Sequence, residues 1–495
     1  MKRFLRNFGA MCLTGLMVVS AATGCAGDPT LNSATDIQIY LWDSGYGSEF
    51  MIETVEGFNQ AQTEYHATLD YTSSASTIIS TLGLGSSNTY DLYFTMLNTN
   101  MYNKDFAKLD DVLDSPAFGE TETIRSKYYP YLLKGVANAD GTTNFLTYGN
   151  GWCGLVYNSD IVNDEKYFVP RTTNELSLLT AELAGDSITP WLFYNDSNNN
   201  GYWNYAVQGW EAQYDGIDYY YNTMFALKDE NGNTPSKDVM LRKDGRYQAL
   251  KVLESLLTPS TVHPEVTSGN FTKVQTLFLA GEAAMTVNGS WLMNESTGAK
   301  DNFVMMKLPV ISSIVEKLED KQMSDGTLSD IVKEVDEGAT SSDLCSQNDF
   351  DRIKEARNLL YNNGSESYVF IPSYSPAVEG AKEFLRYFYS DEGTLAFMRN
   401  DRLPGPVRLT DASKFDVESL PKWNRTQFEF SQTLTAVTNT LDKSKVFLNY
   451  SLNQFANLTY AQYLCAMNPK DREDADDLWQ TMTNRVNENW GDWSA

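Results

Sequence analysis

Histidine and basic residues are scarce in this sequence. Its 495 residues include two histidines, and 38 lysines and arginines stand against 65 aspartates and glutamates, for a formal net charge of −27. Metal sites made of histidine clusters and catalytic triads that need a placed imidazole are therefore nearly excluded. The acidic balance also argues against nucleic acid as a partner, because phosphate binding needs clustered cations.

Common catalytic motifs are missing as well. The chain has no G-x-x-x-x-G-K-[ST], G-x-S-x-G or H-E-x-x-H pattern, so it lacks the usual signals of nucleotide, serine-hydrolase and zinc chemistry. Residues 196–201 (DSNNNG) match the first half of a calcium loop, but Val207 stands where a bidentate glutamate is required. A solvated turn explains the same residues, and we expect no metal and no cofactor.

The N-terminal segment has the pattern of a secretory signal. Basic residues precede an apolar run at 8–22, which is shorter than the roughly 20 residues of a membrane span. Residues 22–25 (ATGC) resemble the bacterial lipobox. We therefore expect a signal peptide at 1–24 and a tether at 25–35 that is lipidated on Cys25. The alternative is ordinary signal cleavage, which would leave Cys25 free.

The cysteines beyond this segment form no disulfide framework. Cys153, Cys345 and Cys465 are an odd set without C-x-x-C spacing, and each is flanked by apolar or small residues. We expect buried free thiols, or a single disulfide pair among them.

Hydrophobic periodicity predicts a parallel α/β sheet at the start of the mature chain. Apolar residues alternate at 37–41, 67–71 and 90–94 as in strands, and helical patterns separate them. Strands separated by helices of this length form βαβ units, and ligands bind at the carboxyl ends of such strands. Those ends are residues 42–43 and 95–98.

Later segments predict further elements. A buried strand is expected at 145–158, a helix with an aromatic face from Tyr202, and another helix at 271–280. The aromatic face is typical of core packing, whereas Tyr202 and Trp203, at the helix start, are better placed to reach a ligand. The stretch 314–367 is polar and helix-rich, so we expect an inserted subdomain there.

Several stretches resemble the extracellular solute-binding proteins of ABC sugar importers, the family that includes maltose-binding protein. The most specific is residues 278–291 (FLAGEAAMTVNGSW), which combines a glycine, an Ala-Met strand start and a Gly-x-Trp turn. Shorter matches follow the family order; they are residues 39–47 (IYLWDSGYG), 57–59 (GFN), 90–93 (YDLY), 109–111 (LDD), 154–158 (GLVYN), 307–309 (KLP), 381–385 (AKEFL) and 390–393 (SDEG).

The resemblance implies an α/β, two-lobed, periplasmic-binding-protein-like (type II) fold with a hinge of crossing strands and a sugar held between the lobes. Carried over by position, the first lobe comprises residues 36–147 and 304–408, including the insertion at 314–367. The second lobe comprises residues 148–303 and 409–495.

A sugar site requires hydrogen-bonding groups for hydroxyls and an aromatic ring for the flat C–H face. By the resemblance, Trp291 corresponds to the stacking tryptophan, Trp42 and Asp43 lie in a loop that contacts ligand, and Tyr202 matches a second-lobe aromatic. Inward packing is an equal alternative for Trp42. The full set of expected ligand contacts is Trp42, Asp43, Tyr46, Asp91, Asn98, Trp152, Tyr202, Trp203, Asn288 and Trp291.

Two departures from maltose-binding protein affect the expected ligand. Thr95 and Asn98 stand where that protein has tryptophan and aspartate, and Gly151 beside Trp152 stands where it has glutamate. These changes remove charged acceptors for hydroxyl groups, which argues against maltose itself. Trp152 is a candidate replacement platform.

These features together predict a monomeric, membrane-tethered receptor outside the cytoplasm. It would capture a mono- or oligosaccharide and deliver it to the transmembrane subunits of an ABC permease, without catalysis. One alternative is a lipidated glycan-binding protein of the SusD type, which would be mainly helical. The other is a secreted glycoside hydrolase, although no pair of opposed carboxylates stands out in the sequence.

Overall fold

The computed structural model describes residues 35–96, 101, 104–138, 140–195, 202–224, 226–295, 302–438 and 461–494. Within them, the strands form two sheets. The first has the order β2-β1-β3-β9-β4, with β1 (Thr35–Trp42), β2 (Tyr65–Thr72), β3 (Leu92–Met96), β4 (Leu146–Thr147) and β9 (Ser367–Phe370). The second has the order β10-β8-β5-β6 with β7 also on β5; its strands are β5 (Trp152–Asn158), β6 (Met285–Gly289), β7 (Phe303–Met305), β8 (Leu359–Asn362) and β10 (Thr435–Val437).

Helices cover and connect the sheets. They are α1 (Glu49–Ala61), α2 (Ala75–Leu82), α3 (Asp110–Asp114), α4 (Ile124–Lys127), α5 (Pro130–Val136), α6 (Thr173–Gly185), α7 (Trp203–Asp215), α8 (Ile217–Tyr219), α9 (Lys237–Met240), α10 (Gly245–Leu256), α11 (Phe271–Leu279), α12 (Asp325–Asp336), α13 (Gln347–Arg357), α14 (Val378–Phe388), α15 (Asp391–Asp401), α16 (Lys422–Thr433), α17 (Ala461–Leu464) and α18 (Ala475–Trp493). A 3₁₀ helix at Ser290–Met293 follows β6 directly.

The first sheet forms around β1, which has one fully apolar face. Ile37, Ile39 and Leu41 of β1 are fully buried, and β1 pairs in parallel with β2 and β3. Helix α1 connects β1 to β2, and α2 leads to β3, so the predicted βαβ units are confirmed. The antiparallel strands β9 and β4 complete the sheet.

The aromatic face of α7 packs in the core, as its spacing predicted. Trp203, Val207 and Trp210 are fully buried, and the Trp210 indole donates a hydrogen bond to the Pro309 carbonyl at 3.1 Å. The helix thereby holds the second sheet to the segment that follows β7.

Buried apolar side chains divide into two main cores, which we call the first and second lobes. The first lobe draws its core from residues 37–148 and 369–407, and the second from 152–361 and 423–486. The chain crosses from the first sheet to the second between β4 and β5, returns between β8 and β9, and crosses again between β9 and β10. Two sheets of this kind argue against the mainly helical alternative.

The strand pairing differs from the expectation that residues 304–408 belong to the first lobe. Strand β7 pairs with β5, and β8 pairs with β5 and β10, so both strands belong to the second sheet. The stretch read as an insertion at 314–367 contains β8, a core strand, in addition to α12 and α13. Short buried strands choose their partners through long-range contacts, which local sequence does not reveal.

Candidate functional site

The two lobes meet where the loop after β1 lies against the segment after β6. A Cβ added to Gly45 would lie 2.8 Å from the Trp291 Cβ, and one added to Gly289 would lie 2.2 Å from the Trp291 ring. Real Cβ atoms do not approach so closely, so both positions require glycine for the Trp291 indole to lie where it does.

Aromatic rings enclose Trp291. Its side chain is 8 % exposed, and it meets Tyr202 and Tyr205 edge-on at centroid distances of 5.7 and 6.4 Å. Tyr202 stacks on Tyr205 at 5.2 Å and is only half-buried. In this conformation Tyr202 therefore offers more accessible aromatic surface than Trp291.

The crossing strands are tied together by amide side chains next to this contact. The Asn362 Nδ2 donates to the Asn150 Oδ1 at 2.9 Å, and the Asn363 backbone N–H donates to the Gly151 carbonyl at 2.9 Å. The Asn150 Nδ2 also donates to the Gly405 carbonyl at 3.1 Å. These hydrogen bonds join the segments that cross between the lobes.

Three buried oxygen atoms converge beside Gly151 without hydrogen-bond partners. They are the Tyr46 hydroxyl, the Ser290 Oγ and the Asn363 Oδ1, and they would lie 2.8, 3.3 and 2.3 Å from a Cβ added to Gly151. Burial raises the pKa of Tyr46 well above its ordinary value. A buried polar atom without a partner costs about 1–3 kcal/mol, so such a cluster requires an explanation, and a bound ligand that supplies the missing hydrogen bonds is one.

Carboxyl groups line both sides of the lobe contact. Burial, and then the charge of Glu49, raises the pKa of Asp43. The same two causes raise the pKa of Asp401 well above its ordinary value. The Asp401 Oδ2 is buried without a partner, while its Oδ1 accepts from the Asn294 Nδ2 at 3.3 Å. Burial also raises the pKa of Glu295, against a hydrogen bond from Gln275 that lowers it.

A small cavity lies beside Trp291 in the second lobe. Its lining includes Tyr202, Gln275 and Asn288, together with the apolar side chains Phe271 and Leu292. Asn288 is buried, and its Oδ1 accepts from the Gly289 backbone N–H at 2.8 Å. This residue therefore shapes the turn that carries Trp291.

The structure brings together three of the predicted contact residues, Tyr46, Tyr202 and Trp291, and places Asn288 beside them. Asp43 lies in the loop after β1 that also carries Gly45. Trp42 is half-buried at the end of β1, where its Nε1 donates to the Ser73 carbonyl at 3.3 Å. This hydrogen bond holds the indole against the loop after β2.

Three predicted contact residues are instead engaged in hydrogen bonds or packing inside the protein. Asp91 is buried and accepts from the Gln38 backbone N–H at 2.9 Å and the Ser375 Oγ at 2.6 Å. Trp152 is fully buried and donates to the Ser431 Oγ at 2.8 Å, which leaves no face for a ligand. Trp203 is fully buried beside Trp191, Phe193 and Trp210.

Other predictions lie outside the described residues. These are Asn98, the signal peptide, Cys25 with residues 25–34 of the tether, and the calcium-like loop at 196–201. The described ranges hold no group of three or more His, Cys, Asp or Glu side chains that could hold a metal ion. Cys153, Cys345 and Cys465 are free thiols.

Sequence reasoning missed Ser290, Glu295, Asn363 and Asp401. Glu295 could have been found, because it follows Trp291 by one helical turn. Asn363 and Asp401 carry no local signal, since they reach the site only through the crossing strands and the end of α15.

Comparison with known proteins places these features in a family. A model described as "Bacterial extracellular solute-binding protein" matches residues 58–422, and its members act outside the cytoplasm. No curated protein matches the chain significantly. In the described part of the chain, every helix is too short or too polar to span a bilayer.

Solved structures share the fold at low identity. RafE in complex with raffinose has a TM-score of 0.59 at 15 % identity, covering 93 % of this chain and 100 % of that one. The apo-form of RafE from Streptococcus pneumoniae has a TM-score of 0.60 at 15 % identity, covering 94 % and 99 %. The bacterial receptor AcbH, described as preferring β-D-galactopyranose exclusively, has a TM-score of 0.59 at 12 % identity, covering 92 % and 99 %. This chain belongs to the bacterial extracellular solute-binding protein family.

Proposed function

We propose that this protein is the solute receptor of an ABC importer and that its solute is a mono- or oligosaccharide held between the lobes. The observation that carries the proposal is the lobe contact itself. Aromatic rings of Trp291 and Tyr202 lie there close to unpartnered oxygens of Tyr46, Ser290 and Asn363. A saccharide needs both kinds of group, because its C–H face packs on rings and its dehydrated hydroxyls must be hydrogen-bonded.

The structural relatives support a saccharide as the solute class. RafE was solved with raffinose, and AcbH is described as a galactopyranose receptor. Two different saccharides on one fold support the class without selecting a sugar for this chain.

Delivery to a permease would follow from reversible closure of the lobes. Removal of residues 1–24 and lipidation of Cys25 would hold the receptor, as a monomer, near the permease on the outer side of the membrane. The receptor would release its saccharide unchanged.

Calorimetry of the purified mature protein tests the proposal. Raffinose, galactose, and xylo- and chito-oligosaccharides form the panel, and we expect a dissociation constant on the order of micromolar for at least one member. Chromatography of that saccharide after incubation should recover it intact. If no saccharide releases heat or shifts the melting temperature, the assignment is wrong; a turned-over saccharide would establish the hydrolase alternative.

Two matched glycine variants test the position of the site. Gly289→Ala drives a Cβ into the Trp291 ring, whereas Gly185→Ala meets no atom within 4 Å. We expect Gly289→Ala to weaken saccharide binding about tenfold or more and Gly185→Ala to leave it unchanged. Equal affinities in two variants that keep their melting temperature would place the site elsewhere.

A further inference from the structure

Glu295 occupies the lobe contact but was not among the predicted ligand residues. Its backbone N–H donates to the Trp291 carbonyl at 3.1 Å, so it lies one helical turn beyond the indole. Its Oε1 would lie 3.5 Å from a Cβ added to Gly45 in the first lobe. The carboxyl group therefore faces the opposite lobe across the contact.

A second-lobe amide orients this carboxyl group. The Gln275 Nε2 of α11 donates to the Glu295 Oε2 at 2.9 Å, which leaves the Oε1 available toward Gly45. The side chain is exposed to solvent, yet burial by surrounding protein raises its pKa. Solvent therefore reaches this carboxyl group, while the protein atoms around it disfavour its charged form.

Acidic side chains and polar atoms without partners occur on both sides of the lobe contact. On the first-lobe side, burial and then the charge of Glu49 raise the pKa of Asp43. On the second-lobe side, burial and then the charge of Glu295 raise the pKa of Tyr202. Among the described residues, no lysine or arginine is a main contributor to either shift. The fully buried Ser290 Oγ and the Asp401 Oδ2 lack partners.

We propose that Glu295 accepts hydroxyl groups of the bound saccharide and makes the receptor reject saccharides that carry a carboxylate or phosphate. The inference rests on the proposed function. An ionised carboxylate accepts hydrogen bonds through both oxygens and donates none, so it pairs with neutral hydroxyls. A like charge about 6 Å away, at an effective dielectric constant of about 20, weakens binding by about 100-fold.

A pair of saccharides that differ only in charge tests the inference. The neutral saccharide that binds best in the panel is compared with its derivative whose primary hydroxyl is oxidised to a carboxylate. Calorimetry is done at low ionic strength, where screening is weak, and near pH 8, above the usual range of carboxyl pKa values. We expect the acidic member to bind about 100-fold more weakly to the wild-type protein.

Two glutamate variants identify the source of this discrimination. Glu295→Gln should reduce the ratio between the affinities for the neutral and the acidic saccharide about tenfold or more. Glu282→Gln removes the same charge from an exposed position shortly before the first residue of β6, at the end of the strand away from Trp291. This variant should keep the full ratio between the two affinities. Melting temperatures establish that both variants are folded.

The outcomes separate this inference from the proposed function. Equal binding of the neutral and acidic saccharides to wild type, or an unchanged ratio in Glu295→Gln, overturns the role of Glu295 and leaves saccharide binding in place. If no neutral saccharide binds, the proposed function fails and this inference fails with it.

Discussion

Replacing Lys127 with methionine tests a buried ionic network in the first lobe. The Lys127 side chain is fully buried, and its Nζ lies 2.6 Å from the Glu120 Oε2 and 3.0 Å from the Asp391 Oδ1. Asp391, at the start of α15, also accepts from the Lys414 Nζ at 2.7 Å and the Thr410 backbone N–H at 2.9 Å. The network joins α4, α15 and the segment 410–414 that follows α15.

The expected loss of stability follows from these contacts. Removing one partner of a buried ion pair costs about 3–5 kcal/mol, because the remaining charge stays buried. Asp391 keeps Lys414 and Thr410, and methionine retains most of the apolar stem of lysine. We therefore expect the lower end, about 3 kcal/mol in the free energy of unfolding.

Urea unfolding of the wild type and two variants measures this difference. Lys243→Met is the matched control, since Lys243 and its partner Asp476 have side chains 52 % and 63 % exposed and an exposed pair contributes about 1 kcal/mol or less. A Lys127→Met variant as stable as the Lys243→Met variant would refute the reasoning, because the buried charges would then need no partner.

The pH dependence provides a second check. Burial alone would raise the pKa of Asp391, but hydrogen bonds from Lys414, Thr410 and Lys127 hold it well below its usual range. Stability from such a group is present above the unfolded-state pKa of about 4 and is lost as the pH falls toward the lowered pKa. The difference between wild type and Lys127→Met should therefore shrink below about pH 4.

Two further predictions concern other buried groups. Burial, and then a neighbouring aspartate, raises the pKa of Asp215 to about 6, so its contribution to stability is complete below about pH 4 and is lost as the pH rises through about 6. Asp215→Asn keeps an acceptor for the Gly245 N–H and should flatten that loss in urea titrations; an unchanged slope would contradict the assignment. Among the described thiols, half-buried Cys345 should be alkylated first, because Cys153 and Cys465 are buried and a reagent reaches them less easily. Burial also raises the pKa of Cys153 well above its ordinary value and that of Cys465 to about 11, which disfavours the reactive thiolate. Mass spectrometry that finds all three modified at equal rates in the native protein would refute this order.

Much of the fold could be predicted because its signals are local. The alternating apolar residues of β1 predict a buried strand, and the helical spacing of Trp203, Val207 and Trp210 predicts a core helix. Residues 278–291 predict the strand and turn that present Trp291. Each of these inferences needs only neighbours in the chain.

The site could be predicted only in part. Trp291 and Tyr202 were found through the resemblance, but Trp152 was not distinguishable from a ligand platform until its contact with Ser431 was known. The pairing of β7 and β8 with the second sheet also escaped prediction, because a short apolar strand fits either sheet equally well.

By itself, the sequence determined the α/β class, the order of the first strands and helices, the scarcity of cations and the aromatic turn at Trp291, because these depend on composition and short-range periodicity. The tertiary structure decided which of these residues meet. Gly45 reaches Trp291, and Asn363 reaches Gly151, only because two crossing strands bring the lobes together. Contacts between residues far apart in the chain depend on the packing of both cores at once, and no local pattern encodes them.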